Sequence, residues 1–199
     1  FTRIEVALKA KETGIVPDFI TVDGAEGGTG AAPLEFIDYM GMALADGLIF
    51  VSKVLKEYGL RDQIKIMASG KIITGFDIAK AMSLGADACY SARGMMFALG
   101  CIPALQCDSG KCPVGIATQD KNLYKGLDIN DKSVRVAHFH NNTLKAFAEF
   151  IGACGFDSPK AITPDVFYRR IDHKTNESFA SLFFNNYENK TKTEKINLN

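Results

Sequence analysis

The sequence predicts an α/β fold built from βα units around a parallel sheet. Three observations carry that reading. Short β-rich runs at 19–22, 64–68 and 88–91 alternate with helical stretches at about the pitch of repeated βα units. The runs are almost continuously apolar, as parallel strands buried on both faces are. Each glycine-bearing loop falls directly after a strand, at the edge where α/β barrels place their chemistry.

Residues 2–13 read as a helix with Ile4, Ala7 and Leu8 on one face and Gly14 as its stop. Pro17 and Asp18 lead into strand 19–22, and a glycine-rich loop runs from Asp23 to Pro33. Residues 34–59 read as mainly helical, interrupted near Gly41 and Gly47, with an inner stripe of Leu48, Val51, Leu55 and Tyr58. Strand 64–68 follows, then the tight loop Ser69-Gly70-Lys71, then a short helix over 75–84 stopped by Gly85. Strand 88–91 runs at once into Ala92-Arg93-Gly94.

After a cysteine-bearing segment, 131–153 read as a helix with Asp131 as N-cap and Gly155 as its end. Its apolar face is Ala137, Leu144, Phe147, Ala148 and Ile151. Thr163-Pro164-Asp165 opens a last short helix that ends near Arg169-Arg170. Enrichment in Asn, Lys and Thr predicts a disordered tail over 185–199. No repeat of 20–50 residues exists beyond the βα rhythm.

With 23 Lys plus Arg against 23 Asp plus Glu, the charge balance points to neither nucleic acid nor an anionic membrane. No apolar run reaches bilayer length, and the start carries no signal-peptide pattern. Five cysteines in a chain of 199 residues, an odd count without disulfide density, place the protein in a reducing, cytoplasmic compartment. Phe1-Thr2-Arg3-Ile4-Glu5 lacks a methionine and begins inside a helix, so the chain reads as a piece of something longer.

Four loops carry candidate chemistry. Asp23-Gly24-Ala25-Glu26-Gly27-Gly28-Thr29-Gly30 lets backbone amides approach a flat or anionic ligand, and a tight βα turn explains it equally well. Ser69-Gly70-Lys71 and Ser91-Ala92-Arg93-Gly94 occupy the places of the last two βα loops of a barrel, a frequent phosphate site. There Gly70 offers an amide, and Lys71 or Arg93 balances charge, Arg93 with a two-pronged contact. Surface charge is the competing reading for both. His138 and His140 lie two apart on a helix and face different ways. Cys89 and Cys154 read as structural thiols.

The fourth loop holds Cys101, Cys107 and Cys112, with five and then four residues between them. Helix neighbours recur at three and four residues, so no helical face presents all three thiols. Pro103, Gly110 and Pro113 also break regular structure. A loop that turns three thiolates toward one place suits a 3Fe–4S cluster, one thiolate per iron. Zinc would need a fourth ligand such as Asp108. Three unligated thiols remain the third reading.

Two stretches resemble a known family. Glu26-Gly27-Gly28-Thr29-Gly30-Ala31-Ala32-Pro33 resembles the Asp/Glu-Gly-Gly-Thr-Gly-Ala-x-Pro loop of glutamate synthases. Cys101-x5-Cys107-x4-Cys112-Pro113-Val114-Gly115-Ile116-Ala117-Thr118-Gln119 resembles their 3Fe–4S segment. The likeness is nearest to the shorter FMN-binding proteins that carry the synthase domain without the glutaminase domain.

It implies that 1–155 are the C-terminal part of a (β/α)8 TIM barrel, about strands six to eight, with an Fe–S loop at 101–119. A helical extension over 156–184 and the tail 185–199 would follow. The resemblance places Glu26, Gly27 and Gly28 at the flavin and substrate as catalytic positions, beside Gly24. It gives the FMN phosphate to Ser69, Gly70, Lys71, Ser91, Ala92 and Arg93, and the cluster to Cys101, Cys107 and Cys112.

The implied reaction is reductive amination of 2-oxoglutarate to L-glutamate. Ammonia or glutamine would supply nitrogen, and ferredoxin or an NADPH-linked subunit the electrons. The N-terminal part of the barrel would be a further partner. Two departures stand out: Ala68-Ser69-Gly70 replaces the Asp-Gly-Gly of large glutamate synthases, and Arg93 is similar to the phosphate arginine of other FMN barrels. An FMN barrel acting on another small substrate, and a non-catalytic piece that acts in assembly, are the alternatives.

Overall fold

The computed structural model describes residues 2–27, 36 and 40–185. Helix α1 (Thr2–Thr13) buries Ala7 and Ala10 beside helix α2 (Leu44–Glu57), while Leu8 is exposed. Among its described side chains, which do not include the expected Ile4, the helix docks through two alanines three residues apart, and Leu8 lies about 100° round the axis from Ala7. The helix expected over 34–59 is seen as α2, with most of 34–39 outside the described residues. Leu48, Val51 and Leu55 are buried as expected, and Tyr58 is the half-buried C-cap.

Strands β1 (Phe19–Asp23), β2 (Lys65–Ser69) and β3 (Ala88–Tyr90) form a parallel sheet in sequence order. Val22 pairs with Ala68 and Ala68 with Cys89, so the C-terminal ends of the strands lie level. Helices α2 and α3 (Gly75–Ser83) cover one face, under which Val22, Ile66 and Ala68 are buried. Among the fully buried side chains are Leu48, Ile64, Ile66 and Leu84. Each contributes roughly 1.5–3 kcal/mol by leaving water.

The other face carries Phe19, Thr21 and Asp23, all exposed, with Tyr90 at the β3 end. Among the described residues the sheet is thus buried on one side and not on both as expected, because α2 and α3 pack on the same side. Among the described residues β1 and β3 each pair on one edge. At the N-terminal ends of the strands the Asp87 carboxylate accepts from Ile66 N at 2.8 Å and from the Arg61 guanidinium at 2.9 Å. Arg61 also donates to Gly85 O at 2.9 Å, so this corner ties β2 to the start of β3.

A capping box starts α3: Asp77 N donates to the Thr74 hydroxyl, and the Asp77 carboxylate accepts from Thr74 N. Helix α4 (Ala92–Leu99), not anticipated from sequence, follows β3 directly, and the single turn α5 (Lys121–Tyr124) precedes α6 (Ile129–Ala153). The N-cap of α6 is Asp128 and not Asp131. Its carboxylate accepts from Asn130 N at 2.8 Å and Asp131 N at 3.2 Å, which puts Asp131 inside the first turn.

Of the inner stripe expected on α6, Phe147 and Ile151 are found inside and the other three positions are not. Val136, Phe139, Phe147, Phe150 and Ile151 face α3 and α4, whereas Ala137, Leu144 and Ala148 are exposed. The spacings 3, 8, 3 and 1 in that stripe follow the 3.6-residue period as well as the expected set does, so periodicity could not choose between them. Burial pushes the half-buried Cys89 thiol up to about 11, in keeping with a structural role.

Within 156–184, where a helical extension was expected, only short turns and the stretch from 179 onward are helical. Two 3-10 turns, Pro159–Ala161 and Pro164–Val166, lead into an antiparallel pair, β4 (Tyr168–Arg170) and β5 (Asn176–Ser178). The reversal is made by Asp172, whose carboxylate accepts from Lys174 N at 2.7 Å and Thr175 N at 2.9 Å. Phe167 and Phe179 stack at 5.7 Å, and Phe167 meets Phe76 of α3 at 5.5 Å and Phe150 of α6 at 5.6 Å. Aromatic packing therefore seats the hairpin on the helices. The predicted tail, from 186 onward, lies outside the described residues. Among the described residues no helix is long and apolar enough to cross a membrane.

Candidate functional site

A cavity of about 440 Å³ opens at the C-terminal ends of the three strands. Gly27, Ser69, Gly70, Lys71, Ala92 and Arg93 line one part of it, and Cys101, Cys107 and Cys112 another. Residues separated by more than eighty positions in sequence therefore share one wall. The βα loops after β1, β2 and β3 supply the first group because parallel strands put all three loops on one edge.

The loop after β2 is held in an unusual backbone. Gly70 has φ +150° and Lys71 has φ +49°, left-handed for a residue with a side chain. Such a conformation costs about 1–2 kcal/mol and is found where ligands are clamped. Arg93 is in the first turn of α4, where backbone N–H groups lack helical partners and favour an anion. Gly94 lets α4 approach α6, since a Cβ there would lie 3.1 Å from the Phe139 ring.

Three expected site residues stand elsewhere. Gly24 is buried and donates to Ser69 O at 2.7 Å, and a Cβ on it would sit 2.5 Å from the Leu44 Cβ. Its role is to let the start of α2 approach the loop. The Glu26 carboxylate accepts from Leu44 N at 2.9 Å, satisfying an orphan donor in the first turn of α2, and does not line the cavity. The Ser91 hydroxyl donates to Ile72 O at 2.7 Å and so ties the β2 loop to the start of α4. Gly28 lies outside the described residues.

The Glu26 contact gives a direct test. Glu26→Ala should lower stability by about 1 kcal/mol, while Glu26→Gln, which keeps an acceptor, should lose a few tenths. Urea unfolding midpoints of the two variants check this; equal losses would remove the capping role.

The cysteine loop begins where α4 ends, at Gly100, with φ +105°. Cys112 is buried, Cys101 half-buried and Cys107 exposed. Burial raises the Cys112 thiol, but the backbone amides of Ala117, Val114, Ile116 and Gly115 outweigh it and bring the thiol below its ordinary value. Burial raises Cys101, the neighbouring Cys107 and Cys112 add to the rise, and the Arg93 charge opposes it. The three thiols and Arg93 thus share one electrostatic neighbourhood. Among the described residues no three His, Cys, Asp or Glu side chains converge on a single metal ion. That geometry does not fit the zinc reading, which needs four ligands on one point.

Sequence reasoning missed Asp23 and Tyr90, which also line the cavity. Period-two alternation along β1 and β3 was the available signal, because it puts Asp23 on the face opposite to buried Val22. His140 faces a groove between α4 and α6, and His138 is exposed, so the two do not form a pair.

Parallel strands with helices packed on them, and a cavity at the strand ends lined by glycine loops, two cations and three cysteines, define an α/β fold of the βα-repeat type. Residues 4–157 match the family model for the conserved region in glutamate synthase, and the chain belongs to the glutamate synthase family. It is 44% identical over 163 residues to the glutamate synthase large subunit-like protein YerD of Bacillus subtilis, covering 81% of this chain and 31% of that one. It is 41% identical over 145 residues to the archaeal glutamate synthase [NADPH] of Methanocaldococcus jannaschii, covering 73% of this chain and 28% of the relative. The chain thus spans about a third of the length of these curated relatives. Among solved structures, a flavocytochrome b2 variant with sulfite bound is similar at a TM-score of 0.49 and 17% identity, covering 83% of this chain and 33% of that chain. That likeness is too distant to bear on fold, ligand or reaction.

Proposed function

We propose that this chain supplies the C-terminal portion of an FMN- and iron–sulfur-dependent oxidoreductase that converts 2-oxoglutarate and ammonia, or glutamine, to L-glutamate. The observation that carries the proposal is the single cavity shared by Gly70, Lys71 and Arg93 with Cys101, Cys107 and Cys112. Membership of the glutamate synthase family supports it.

The residues fit both groups chemically. The Gly70 amide and the amides at the start of α4 donate to a phosphate, and Lys71 and Arg93 balance its charge. The two left-handed residues Gly70 and Lys71 bend the backbone toward the cavity mouth. Three thiols on one wall fit a cluster that takes one thiolate per iron, and the backbone amides around Cys112 favour the ionised sulfur that iron binds. When bound, FMN supplies the hydride and the cluster supplies one-electron transfer. This chain orients both and keeps the cysteine loop one short helix from the phosphate loop.

β1, β2 and β3 would be strands six, seven and eight of a (β/α)8 barrel. The exposed face bearing Phe19, Thr21 and Asp23, and the outer edges of β1 and β3, are surfaces that the remaining strands would cover. Ferredoxin or an NADPH-linked subunit would deliver electrons on the cysteine-loop side.

The test is the visible spectrum and the iron and sulfide content of the intact natural polypeptide after anaerobic purification. Flavin bands with near-stoichiometric iron and sulfide are expected, and Cys107→Ala should lose iron while keeping flavin. A colourless, iron-free wild type would sink the proposal.

A further inference from the structure

The floor of the cavity is a cross-strand row. Asp23 pairs with Ser69 and Ser69 with Tyr90. The three side chains stand side by side at the C-terminal ends of β1, β2 and β3, and all three line the cavity. They project from the face opposite to Val22, Ala68 and Cys89, the next residues back along each strand.

Two carboxylates, Asp23 at the end of β1 and Glu26 in the loop after it, lie within four residues, and the structure treats them differently. Glu26 is turned out of the cavity by its bond to Leu44 N. Asp23 is exposed on the cavity floor, and among the described residues no hydrogen bond to its carboxylate is formed. Asp108, also on the cavity wall, belongs to the cysteine loop and not to a strand.

The cations Lys71 and Arg93 are suited to anions: a phosphate, or the carboxylates of an oxo acid. The Asp23 carboxylate repels those groups. It is complementary to a cation that donates N–H bonds. The reductive amination proposed above, on which this inference rests, contains one such species at each stage. Ammonium first gives up a proton to become ammonia, which adds to the oxo carbon, and that proton is returned to the carbinolamine hydroxyl as water leaves, so the iminium nitrogen carries the same single positive charge as the bound ammonium. Hydride addition to the iminium carbon gives a neutral amine and removes that charge. A carboxylate beside the nitrogen therefore favours both the ammonium that is bound and the iminium that is reduced, and loosens its grip only when reduction has removed the charge.

We infer that Asp23 binds the nitrogen of the reaction, first as ammonium and then as iminium, and sets specificity for the amine substrate. Gly27 serves this role by leaving room. A Cβ there would lie 2.8 Å from an Asp23 carboxylate oxygen, so a side chain at 27 would make the carboxylate turn from this position.

The experiment uses the intact natural polypeptide with Asp23→Asn, Asp23→Glu and Asp23→Ser. Steady-state rates are measured while ammonium chloride and 2-oxoglutarate are varied separately, and the flavin spectrum of each variant is recorded. Asp23→Asn and Asp23→Ser should each raise the KM for ammonium about tenfold or more, as one lost charge-assisted hydrogen bond does. The KM for 2-oxoglutarate should change less than twofold, flavin should be retained, and Asp23→Glu should recover part of the ammonium affinity. Serine is the safeguard against an amide that disturbs the loop, since it is shorter at the Gly27 approach. An unchanged ammonium KM, or an equal rise in both KM values, overturns the inference. Loss of flavin in both Asn and Ser variants also overturns it and assigns the carboxylate to the cofactor. A wild type that turns over neither substrate removes the proposed reaction and this inference together, whereas an active wild type with indifferent variants removes this inference alone.

Discussion

Gly75→Ala is expected to destabilise the protein by about 2 kcal/mol, the usual size of an overpacking defect. Gly75 opens α3 at its crossing with α6. A Cβ at this position would lie 2.5 Å from Phe147 N and 2.9 Å from both Phe147 Cα and Thr143 O. All three are backbone atoms of α6, so no rotamer change can clear them. The helices would have to separate. That would open the contacts of Phe76 with Phe150 and Phe167, which lie at 5.6 and 5.5 Å.

The control is Gly152→Ala on α6 itself, where nothing lies within 4 Å of the added Cβ. There alanine should stabilise by about 0.5–1 kcal/mol through lower backbone entropy in the unfolded chain. Urea midpoints at unchanged m-value measure both. If the two alanines shift the midpoint in the same direction, close helix approach is not what glycine provides at 75.

Gly115→Ala should cost about 2–4 kcal/mol, from two sources. The residue has φ +80°, which costs a side-chain-bearing residue about 1–2 kcal/mol. Its Cβ would also lie 2.6 Å from Leu123 O and 2.7 Å from Tyr124 Cα, the backbone of α5. Gly110→Ala isolates the first source, because Gly110 has φ +69° and nothing within 4 Å of an added Cβ. It should lose about 1 kcal/mol. Equal losses at 110 and 115 would show that the contact with α5 does not matter.

The Gly115 variant should also alter the response to pH. The amides of residues 114–117 hold the Cys112 thiol below its ordinary value of 9.0, despite the opposing effect of burial. A thiol lowered in the folded state adds stability that is complete above the unfolded value and is lost as pH falls through the folded one. Displacing the turn removes that contribution, so in protein stripped of iron the deficit of Gly115→Ala should be larger at pH 9 than at pH 6.

Much of the architecture was legible because its signals are local. Glycine and proline punctuate the chain at Gly14, Gly59, Gly85 and Gly155, and each helix expected before them ends there within a residue or two. The apolar runs at 19–22, 64–68 and 88–91 became neighbouring parallel strands, and the loops after them came to one edge. Other features depended on partners far away in sequence. The stripe of α6 was right at Phe147 and Ile151 and misplaced elsewhere because apolar residues occur on adjacent faces, and only the docking of α3 and α4 selects Val136, Phe139 and Phe150 over Ala137, Leu144 and Ala148. The hairpin β4–β5 was missed because its strands are three residues long, too short for alternation to register.

The same division runs through the candidate site. Residue order and type alone determined that glycine loops carrying Lys71 and Arg93 follow parallel strands, and that the cysteine spacing excludes a helical face. These conclusions need only backbone sterics and side-chain periodicity. Tertiary structure alone decided between two carboxylates three residues apart. Glu26 meets the amide of Leu44, a residue eighteen positions away, and so becomes a helix cap. Asp23, in register with Ser69 and Tyr90, is left on the cavity floor. A carboxylate takes whichever donor the fold brings to it, and the approach of α2 to the first loop is a property of packing that no local pattern encodes.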